Sequence, residues 1–544
     1  STFAYAPPNT SITDPEGEVR AHTHNDAGVL TNSQDRSGLS VQIAVDAAGR
    51  REAVTDRLGD TMTFTYDDAS GNPSSITHAD GTSSAFTYSD RVVGALTVRD
   101  LTGATHRDGT TEAWSYNAAG NPISHPDRLG NTATATFNAA GQPLTVTNTA
   151  GGTTTLTYFV EGIIDKVQDP ALHTTEYWYD SLRRPVVIFY PDSNLVSFSY
   201  DANDNLTSRT NESGTTTNFG YDANNNLVSI TGQVGNYQFA YDGNDRLVTR
   251  TDPLNDVRTF TYDSLGRQDS VTDENSNTTI FDYDQLGRLA TVTDARLADT
   301  NFTYDAEGVI ASVTDRTGAQ TLFESDQMGR ITKVTTPLLF ETDFVYDTMG
   351  RLATATNPLG EMTTRSYDAA GRLASITLDE PGVAASFTRG PLGSLTQVLD
   401  PNGNAWTYTN DNQGRRSSST DPLGQATTIT YDNRGRPEII DFPDPLGVVT
   451  RTYYGVGNLF QAIYSDGTTL EYNYDFADRL ISGTGFFLGR DAAGRLVRSG
   501  TNFLTRDPGG RIQNIELTAG LDITYGHDAN NNVVSVSDNW GGTT

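Results

Sequence analysis

Cysteine is missing altogether from the 544 residues, which excludes disulfide staples and thiolate metal sites but leaves the compartment open. Apolar residues are scarce at 35 %, below the roughly 45–50 % of ordinary globular chains. A thin layered structure is therefore expected rather than one thick core. Long apolar runs are absent as well: none approaches the roughly 18 residues of a membrane span. A helical period is also missing, since Gly or Pro interrupts every ten or so residues. Positive charge is in deficit, with 37 Lys and Arg against 68 Asp and Glu and a net charge of −31. Such a charge repels nucleic-acid phosphates and anionic lipid surfaces. Its structural reading is a solvated acidic surface, because most Asp falls at turn positions. Ser1-Thr2-Phe3 lacks the basic-then-apolar order of a signal peptide, so the chain reads as processed or as a piece of something longer.

What is present is a repeat. Tyr-Asp recurs at Tyr179, Tyr200, Tyr221, Tyr241, Tyr262, Tyr283 and Tyr304, and again at Tyr346, Tyr367, Tyr431 and Tyr474. Subtracting neighbouring numbers gives a step of 21, occasionally 20. Further copies at Tyr66-Asp67, Tyr116-Asn117, Phe137-Asn138, Ser325-Asp326 and Asn410-Asp411 fill the gaps. The array holds about 25 units.

Each unit carries two turn signals. The first follows Tyr-Asp, where the Asp bonds its own backbone two residues on and a Gly three residues later takes the left-handed position. Asp204, Asn225 and Asn531 stand in that Gly slot, and Asn and Asp are the other residues that visit this conformation readily. The second signal is Asp-Pro-x-Gly, as in Asp421-Pro422-Leu423-Gly424 and Asp444-Pro445-Leu446-Gly447, where Pro pre-sets its own dihedral. Variants at Asp56, Asp127, Asp315 and Asn357 keep the opener and the Gly. Two turns per unit leave about six residues per strand. Phe64/Tyr66, Phe260/Tyr262 and Phe302/Tyr304 alternate with Thr65, Thr261 and Thr303, a strand period of two.

Magnitudes then constrain the architecture. Some 50 six-residue strands spaced about 4.8 Å apart make a ribbon on the order of 240 Å long and 20 Å wide. Sheets twist, so the ribbon must coil into a hollow shell or spiral tube. Tyr rings two strands apart are expected to stack as a ladder, each contributing about 4–6 kcal/mol gross as an upper bound. Loss of one Tyr is then a local defect. Arg267, Arg288, Arg330, Arg351, Arg372 and Arg436, each following Gly, are expected to form exposed pairs with Asp of the same or an adjacent unit. At about 0–1 kcal/mol each, such pairs set register rather than stability.

With Gly-Arg-Leu and Thr-Asp-Pro-x-Gly flanking the Tyr-Asp pair, the chain resembles the YD-repeat or Rhs-repeat family over essentially its whole length. The resemblance implies an all-β fold: tandem hairpins of about 21 residues coiled into an antiparallel shell. Relatives of this kind include the cocoons of Tc toxins, Rhs polymorphic toxins and teneurins. Rhs toxins close their shell with a self-cleavage region and a variable toxin, and no such plug occurs here. Asp507-Pro508-Gly509-Gly510 is one more repeat turn. The segment Asp538-Asn539-Trp540-Gly541-Gly542-Thr543-Thr544 stops where a strand is due, so the array reads as cut in mid-course. Residues 1–544 form one array on this reading. A loop insertion is expected within 89–115, and shortened repeats forming a taper or junction over 476–507.

The remaining candidate sites reduce to structural readings. Asp201-Ala202-Asn203-Asp204-Asn205 and Asp222-Ala223-Asn224-Asn225-Asn226 imitate the alternating oxygens of a calcium loop. Both coincide with repeat turns, and Leu206 and Leu227 occupy the position that needs Gly. His22 and His24 share a strand face without a third zinc ligand in phase. No nucleophile elbow, phosphate loop or zinc-protease signature appears, so the chain reads as non-enzymatic and free of cofactors. Aromatic positions at strand spacing read as sheet packing before carbohydrate stacking.

Three functions stay open, all extracellular or at a cell surface. The first is a structural shell or tube that polymerises through its open sheet edges. The second is the cocoon of a secreted toxin whose cargo lies outside this chain. The third is an adhesin for glycans or proteins. Expected partners are further repeats of the same chain, a copy of itself, an enclosed cargo, or a glycan or protein receptor. Nucleic acid and a membrane span are not expected. With no cargo or cleavage apparatus encoded here, the first reading is favoured.

Overall fold

The computed structural model describes residues 2–6, 9–13, 19–34, 40–56, 59–67, 70–233, 235–306, 308–326, 328–379, 384–518 and 520–540. A representative unit is a six-residue strand Val257–Tyr262, a turn over 263–267, a five-residue strand Gln268–Thr272 and a turn over 273–277. Those lengths account for the 21-residue period read from the sequence. The described residues contain strands and turns without a helix.

Every strand pairs antiparallel with the strand before it and the strand after it, in unbroken sequence order, in ladders of 11 and 42 strands. The two ladders part only at Trp114. Its backbone N–H still donates to Thr102 O at 3.0 Å, and Tyr116 reaches across to Leu101 O at 2.9 Å. The ribbon is therefore continuous.

The two turns of a unit set different registers. Across the Tyr-Asp turn Thr261 faces Ser270 and Tyr262 faces Gln268, so Asp269 is an extra, bulged residue. Across the following turn Thr272 faces Thr278 with no shift. The same shift recurs beside Tyr304, Tyr346 and Tyr431. A bulge bends its strand and increases twist. Placed once per unit and always after the same turn, it bends the ribbon repeatedly in one sense and drives it to coil.

The coil closes on itself. Arg434 contacts Asp192, 242 residues away, and Asn148 bonds Asn412, 264 residues away. A step of 242 residues is about 11.5 units or 23 strands, a circumference of about 110 Å and a mean diameter of about 35 Å. The chain makes about two such coils. Their wall is one sheet thick. The accessible surface is 29412 Å², against about 19,000 Å² for a compact monomer of 58.8 kDa. Among the described residues, Ala104, Val196, Ile440, Val449 and Ala462 are the buried apolar side chains. Along Asp299–Tyr304, Phe302 and Tyr304 are half-buried, while Asn301 and Thr303 are exposed.

Two segments differ from expectation. The extra residues within 89–115 are spent on strand rather than loop. Ser83–Val93 and Leu96–Thr105 are 11 and 10 residues long and meet at Gly94-Ala95. Val92, Val93, Thr97 and Val98 favour extension, and Gly94 supplies φ +61° for the tight turn. Arg91 to Asp100 (2.6 Å) and Arg99 to Asp90 (2.7 Å) tie the two strands together. Over 476–507 the strands lose only about a residue each. The larger change is that the five-residue second turn shrinks to the two-residue links Thr484-Gly485 and Gly500-Thr501. The expected break in the array falls on Gly541 to Thr544, which lie outside the described residues, as does Ser1.

Candidate functional site: the repeat clamp and the seam between coils

The Tyr-Asp turn is held by one carboxylate. Asp263 Oδ1 accepts from the N–H groups of Leu265 and Arg267, both at 2.9 Å, and Oδ2 accepts from Arg267 Nε at 2.6 Å. Gly266 at φ +84° closes the loop. The Arg267 guanidinium lies 4.6 Å above the ring of Tyr283 in the next unit. The Tyr283 hydroxyl reaches back to Gln268 O at 2.8 Å, beside that Arg. Each unit thus clamps its neighbour through Asp, Arg and Tyr in turn. The carboxyl of Asp263 is held below its ordinary value: burial pushes it up, but the backbone and side-chain hydrogen bonds of Arg267 outweigh this. Burial raises Tyr283, which keeps its hydroxyl a donor.

The Tyr positions read from the sequence behave alike. Tyr66, Tyr200, Tyr221, Tyr241, Tyr262, Tyr283, Tyr304, Tyr346, Tyr367 and Tyr431 each donate to a carbonyl 14 or 15 residues earlier. Tyr474 instead packs edge-on against Tyr454 at 6.0 Å.

The expected ladder of Tyr on Tyr does not form. Two strands separate successive rings by about 9.6 Å, beyond the 4.5–7 Å of an aromatic pair. A guanidinium occupies the gap, at 4.4 Å from Tyr304 and 4.8 Å from Tyr346. The Arg–Asp pairs are accordingly not exposed register devices. Arg267 and Asp263 keep only 26 % and 21 % of their side-chain exposure, and the pair lies within one turn.

Asp204, Asn225 and Asn531 do adopt the left-handed conformation, with φ of 67°, 66° and 68°. Asn and Asp are not alone in doing so. Leu172, Leu297 and Leu339 take φ of 68°, 61° and 63° in second turns, forced there by the loop length. Nor do the two turns differ in physics. Asp421 Oδ1 accepts from Leu423 and Gln425 just as Asp263 does from Leu265 and Arg267, and Gly424 sits at φ +81°. What distinguishes them is the bulge that follows. Asp444-Pro445-Leu446-Gly447 departs from this form, its turn spanning Phe442 N to Gly447 O. In the calcium-like segment Asp201 accepts from the N–H groups of Asn203 and Asn205 and from the Asn205 amide, so its oxygens serve the turn. His22 and His24 face Ser33 and Leu30, and no group of three His, Asp or Glu fit for a metal occurs among the described residues.

Sequence reasoning did not identify the residues of the seam. Second turns of the first coil meet Tyr-Asp-type turns of the last coil. Arg434 reaches Asp192 at 3.4 Å and Glu212 at 3.1 Å and lies 3.9 Å over Tyr190. Further along, Asn148 Nδ2 donates to Asn412 O at 2.8 Å, Thr149 Oγ1 to Pro391 O at 3.0 Å and Gly509 N to Asn275 Oδ1 at 3.1 Å. Arg296 pairs with Asp528 at 2.8 Å, and Asn530 bonds Asp294. Burial and the nearby Asp252 raise Asp256, and Arg495, 3.8 Å away in the other coil, opposes them. A repeat seen one unit at a time carries no trace of contacts made eleven units apart. The deviations from consensus, such as Arg434 in a turn already served by Arg436, are the signal that marks them.

Comparison with known proteins agrees with this architecture. Residues 255–390 match the teneurin YD-shell family, and 45–83, 200–235, 241–268 and 391–426 match the RHS repeat. No curated protein matches the chain in sequence. The crystal structure of TcdB2-TccC3 superposes with a TM-score of 0.58 at 14 % identity, over 98 % of this chain and 37 % of that one. TcdB2-TccC3-TEV gives 0.60 at 13 % identity, over 98 % and 39 %. TcdB2-TccC3 without its hypervariable C-terminal region gives 0.59 at 12 %, over 97 % and 40 %. This chain therefore spans at most 40 % of those chains' length, and the likeness to them is one of fold. With its Tyr-Asp clamps, its all-antiparallel coil and these matches, the chain resembles the YD/RHS-repeat shells, carrying teneurin YD-shell and RHS-repeat matches over the segments named and sharing the fold of the TcdB2-TccC3 structures.

Proposed function

We propose that this chain is a wall segment of a non-enzymatic container that works outside the cell and encloses a polypeptide passenger. The observation that carries the reading is the seam. Ion pairs and hydrogen bonds close the gap between coils along their length, which a container needs and an open spiral does not. The favoured reading thus moves from an empty tube to the cocoon. Subtracting a sheet thickness of about 10 Å from a mean diameter of about 35 Å leaves a bore near 25 Å. A folded 100-residue domain, with a radius of gyration of about 13 Å, is about 34 Å across. An extended chain or a single helix fits the bore, and such a domain does not. The formal charge of −31 favours a cationic passenger.

The test fuses a dye-labelled basic peptide after Thr544 of the full chain and follows its digestion by trypsin. Cleavage at least about tenfold slower than in the free peptide supports enclosure. Digestion at the free-peptide rate contradicts it.

A further inference from the structure

In nine units among the described residues an Arg guanidinium lies 4.4–4.8 Å over the Tyr ring of the next unit. Arg184 shows the fullest form. Its guanidinium sits 4.8 Å over Tyr200, and Nη1 donates to Asp201 O and to Asp204 Oδ1, both at 2.8 Å. Ring, carbonyl and carboxylate together make a seat for a guanidinium.

The unit that leads into Tyr474 keeps the seat, but another residue stands where its Arg belongs. Asn458 precedes Tyr474 by 16 residues, as Arg184 precedes Tyr200. Tyr474, Asp475 and Asp478 repeat Tyr200, Asp201 and Asp204, and Asp478 takes φ of 61° where Asp204 takes 67°. The turn before Asn458 is altered too. Tyr454 holds the Asp position and sets its ring edge-on to Tyr474 at 6.0 Å. With Phe476, which is 64 % exposed, and with Ser213 and Thr215 from the other coil, these residues wall a cavity of about 200 Å³ in the seam.

Replacement of Arg by Asn does not by itself make such a site. Asn226 stands in the same place before Tyr241, but there the amides of Asn224 and Asn226 donate to Asp245 Oδ1 at 2.8 and 2.7 Å and satisfy it. Asp478 receives the Asn458 amide at 3.3 Å, beyond the usual 2.7–3.2 Å range. The carboxylates around it are already paired, Asp475 with Arg479 at 2.7 Å and Glu212 with Arg434 at 3.1 Å. Asp478 has no ion pair among the described residues. Burial and the charge of Glu212 push its carboxyl up, against Arg209 and the Asn211 amide.

We infer that this cavity is a binding site for a small alkylguanidinium, brought by a free molecule or by an Arg side chain of another polypeptide. The cation lies on the Tyr474 ring, pairs with Asp478 and donates to Asp475 O, as Arg184 does with Tyr200, Asp204 and Asp201. A planar fork of donors suits the carbonyl and carboxylate together, which a point-like ammonium does not. The cavity is smaller than the roughly 300–1,000 Å³ of sites for drug-sized ligands, so it takes a group the size of one side chain. It lies inside the seam and not on an edge of the wall. The inference is independent of any passenger in the lumen.

The test is titration calorimetry of the full chain with propylguanidinium and with propylurea, its uncharged counterpart. The expected result is a Kd of about 1 mM for the cation and binding at least about tenfold weaker for the urea. Asn458→Arg supplies the guanidinium internally. Asp478→Asn removes the charge and keeps a residue that accepts left-handed backbone. Each should weaken binding at least about tenfold, with circular dichroism verifying the fold. Asp245→Asn, the same change where amides already satisfy the carboxylate, should leave binding unchanged. A capped Gly-Arg-Gly peptide separates the two sources: affinity equal to that of propylguanidinium assigns the site to an Arg side chain, and clearly weaker affinity assigns it to a free molecule. No binding of propylguanidinium, equal binding of propylurea, or binding untouched by both Asn458→Arg and Asp478→Asn, which marks a cation held by the net negative charge alone, overturns the inference.

Discussion

Replacing Arg434 by Ala should loosen a turn 242 residues away from it. The guanidinium serves two carboxylates of the other coil, Asp192 at 14 % and Glu212 at 7 % side-chain exposure. Asp192 retains Arg436 at 3.4 Å, but Glu212 loses its cation in a nearly dry seam. An exposed pair is worth about 0–1 kcal/mol, and breaking a buried one costs about 3–5 kcal/mol. The stacking on Tyr190 adds about 1–2 kcal/mol. Taken between these limits, the seam should lose about 3 kcal/mol locally, or roughly 150-fold in the opening equilibrium. Native-state hydrogen exchange reads this directly. The amide of Ser193, bonded to Tyr190 O, and that of Tyr190, bonded to Asn194 O, should exchange faster. Turns on the opposite side of the coil, such as 315–318, should not change. If exchange rises only within 432–436 and the turn at 190–194 is untouched, the coils are not coupled as described.

Other perturbations have distinct signatures. Tyr283→Phe removes the bond to Gln268 O and should cost about 1 kcal/mol, confined by exchange to the neighbouring hairpins. Arg267→Ala combined with Tyr283→Leu in a double-mutant cycle should show a coupling of about 0.5–2 kcal/mol, and additivity would remove the clamp. Leu297→Gly relieves a left-handed Leu that is 82 % exposed, and should stabilise by about 0.5–1 kcal/mol in thermal melts. Acid should act late. The folded pKa values of Asp263 and Asp242 lie below the ordinary 3.8, and that of Asp528 falls to about 2. Burial of Asp528 pushes upward, but hydrogen bonds from Asn532, Arg296 and Asn530 prevail. A depressed carboxylate stabilises fully above its unfolded pKa and stops doing so as pH falls through the folded value. Sheet signal should therefore persist down to pH ~4 and fade below it, and loss at pH ~5–6 would contradict the assignment.

The hairpin period, both turns and the alternation of faces were legible in the sequence because they are local. Asp263 and Gly266 act within a few residues of themselves, and identical copies restate the rule. The coiled wall followed from twist alone. Interactions one unit apart were read only in part. Arg267 was assigned to Asp, which is correct, but its second partner, Tyr283, lies in the gap left between rings too far apart to touch. The positive-φ Leu residues escaped notice because loop length overrides side-chain preference there. The seam was illegible, since nothing in Asp192 or Glu212 names Arg434 until the number of units per coil is known.

The coil itself is most directly tested by cross-linking, which the absence of native cysteine makes clean. Thr149→Cys with Pro391→Cys places two thiols where Thr149 Oγ1 now meets Pro391 O at 3.0 Å. A short bis-maleimide should link them within a monomer and join tryptic peptides from the two coils. Thr149→Cys paired with Ser270→Cys, half a coil away, should not link. Equal yields for both pairs, or none for the first, would contradict a wall built by one ribbon closing on itself.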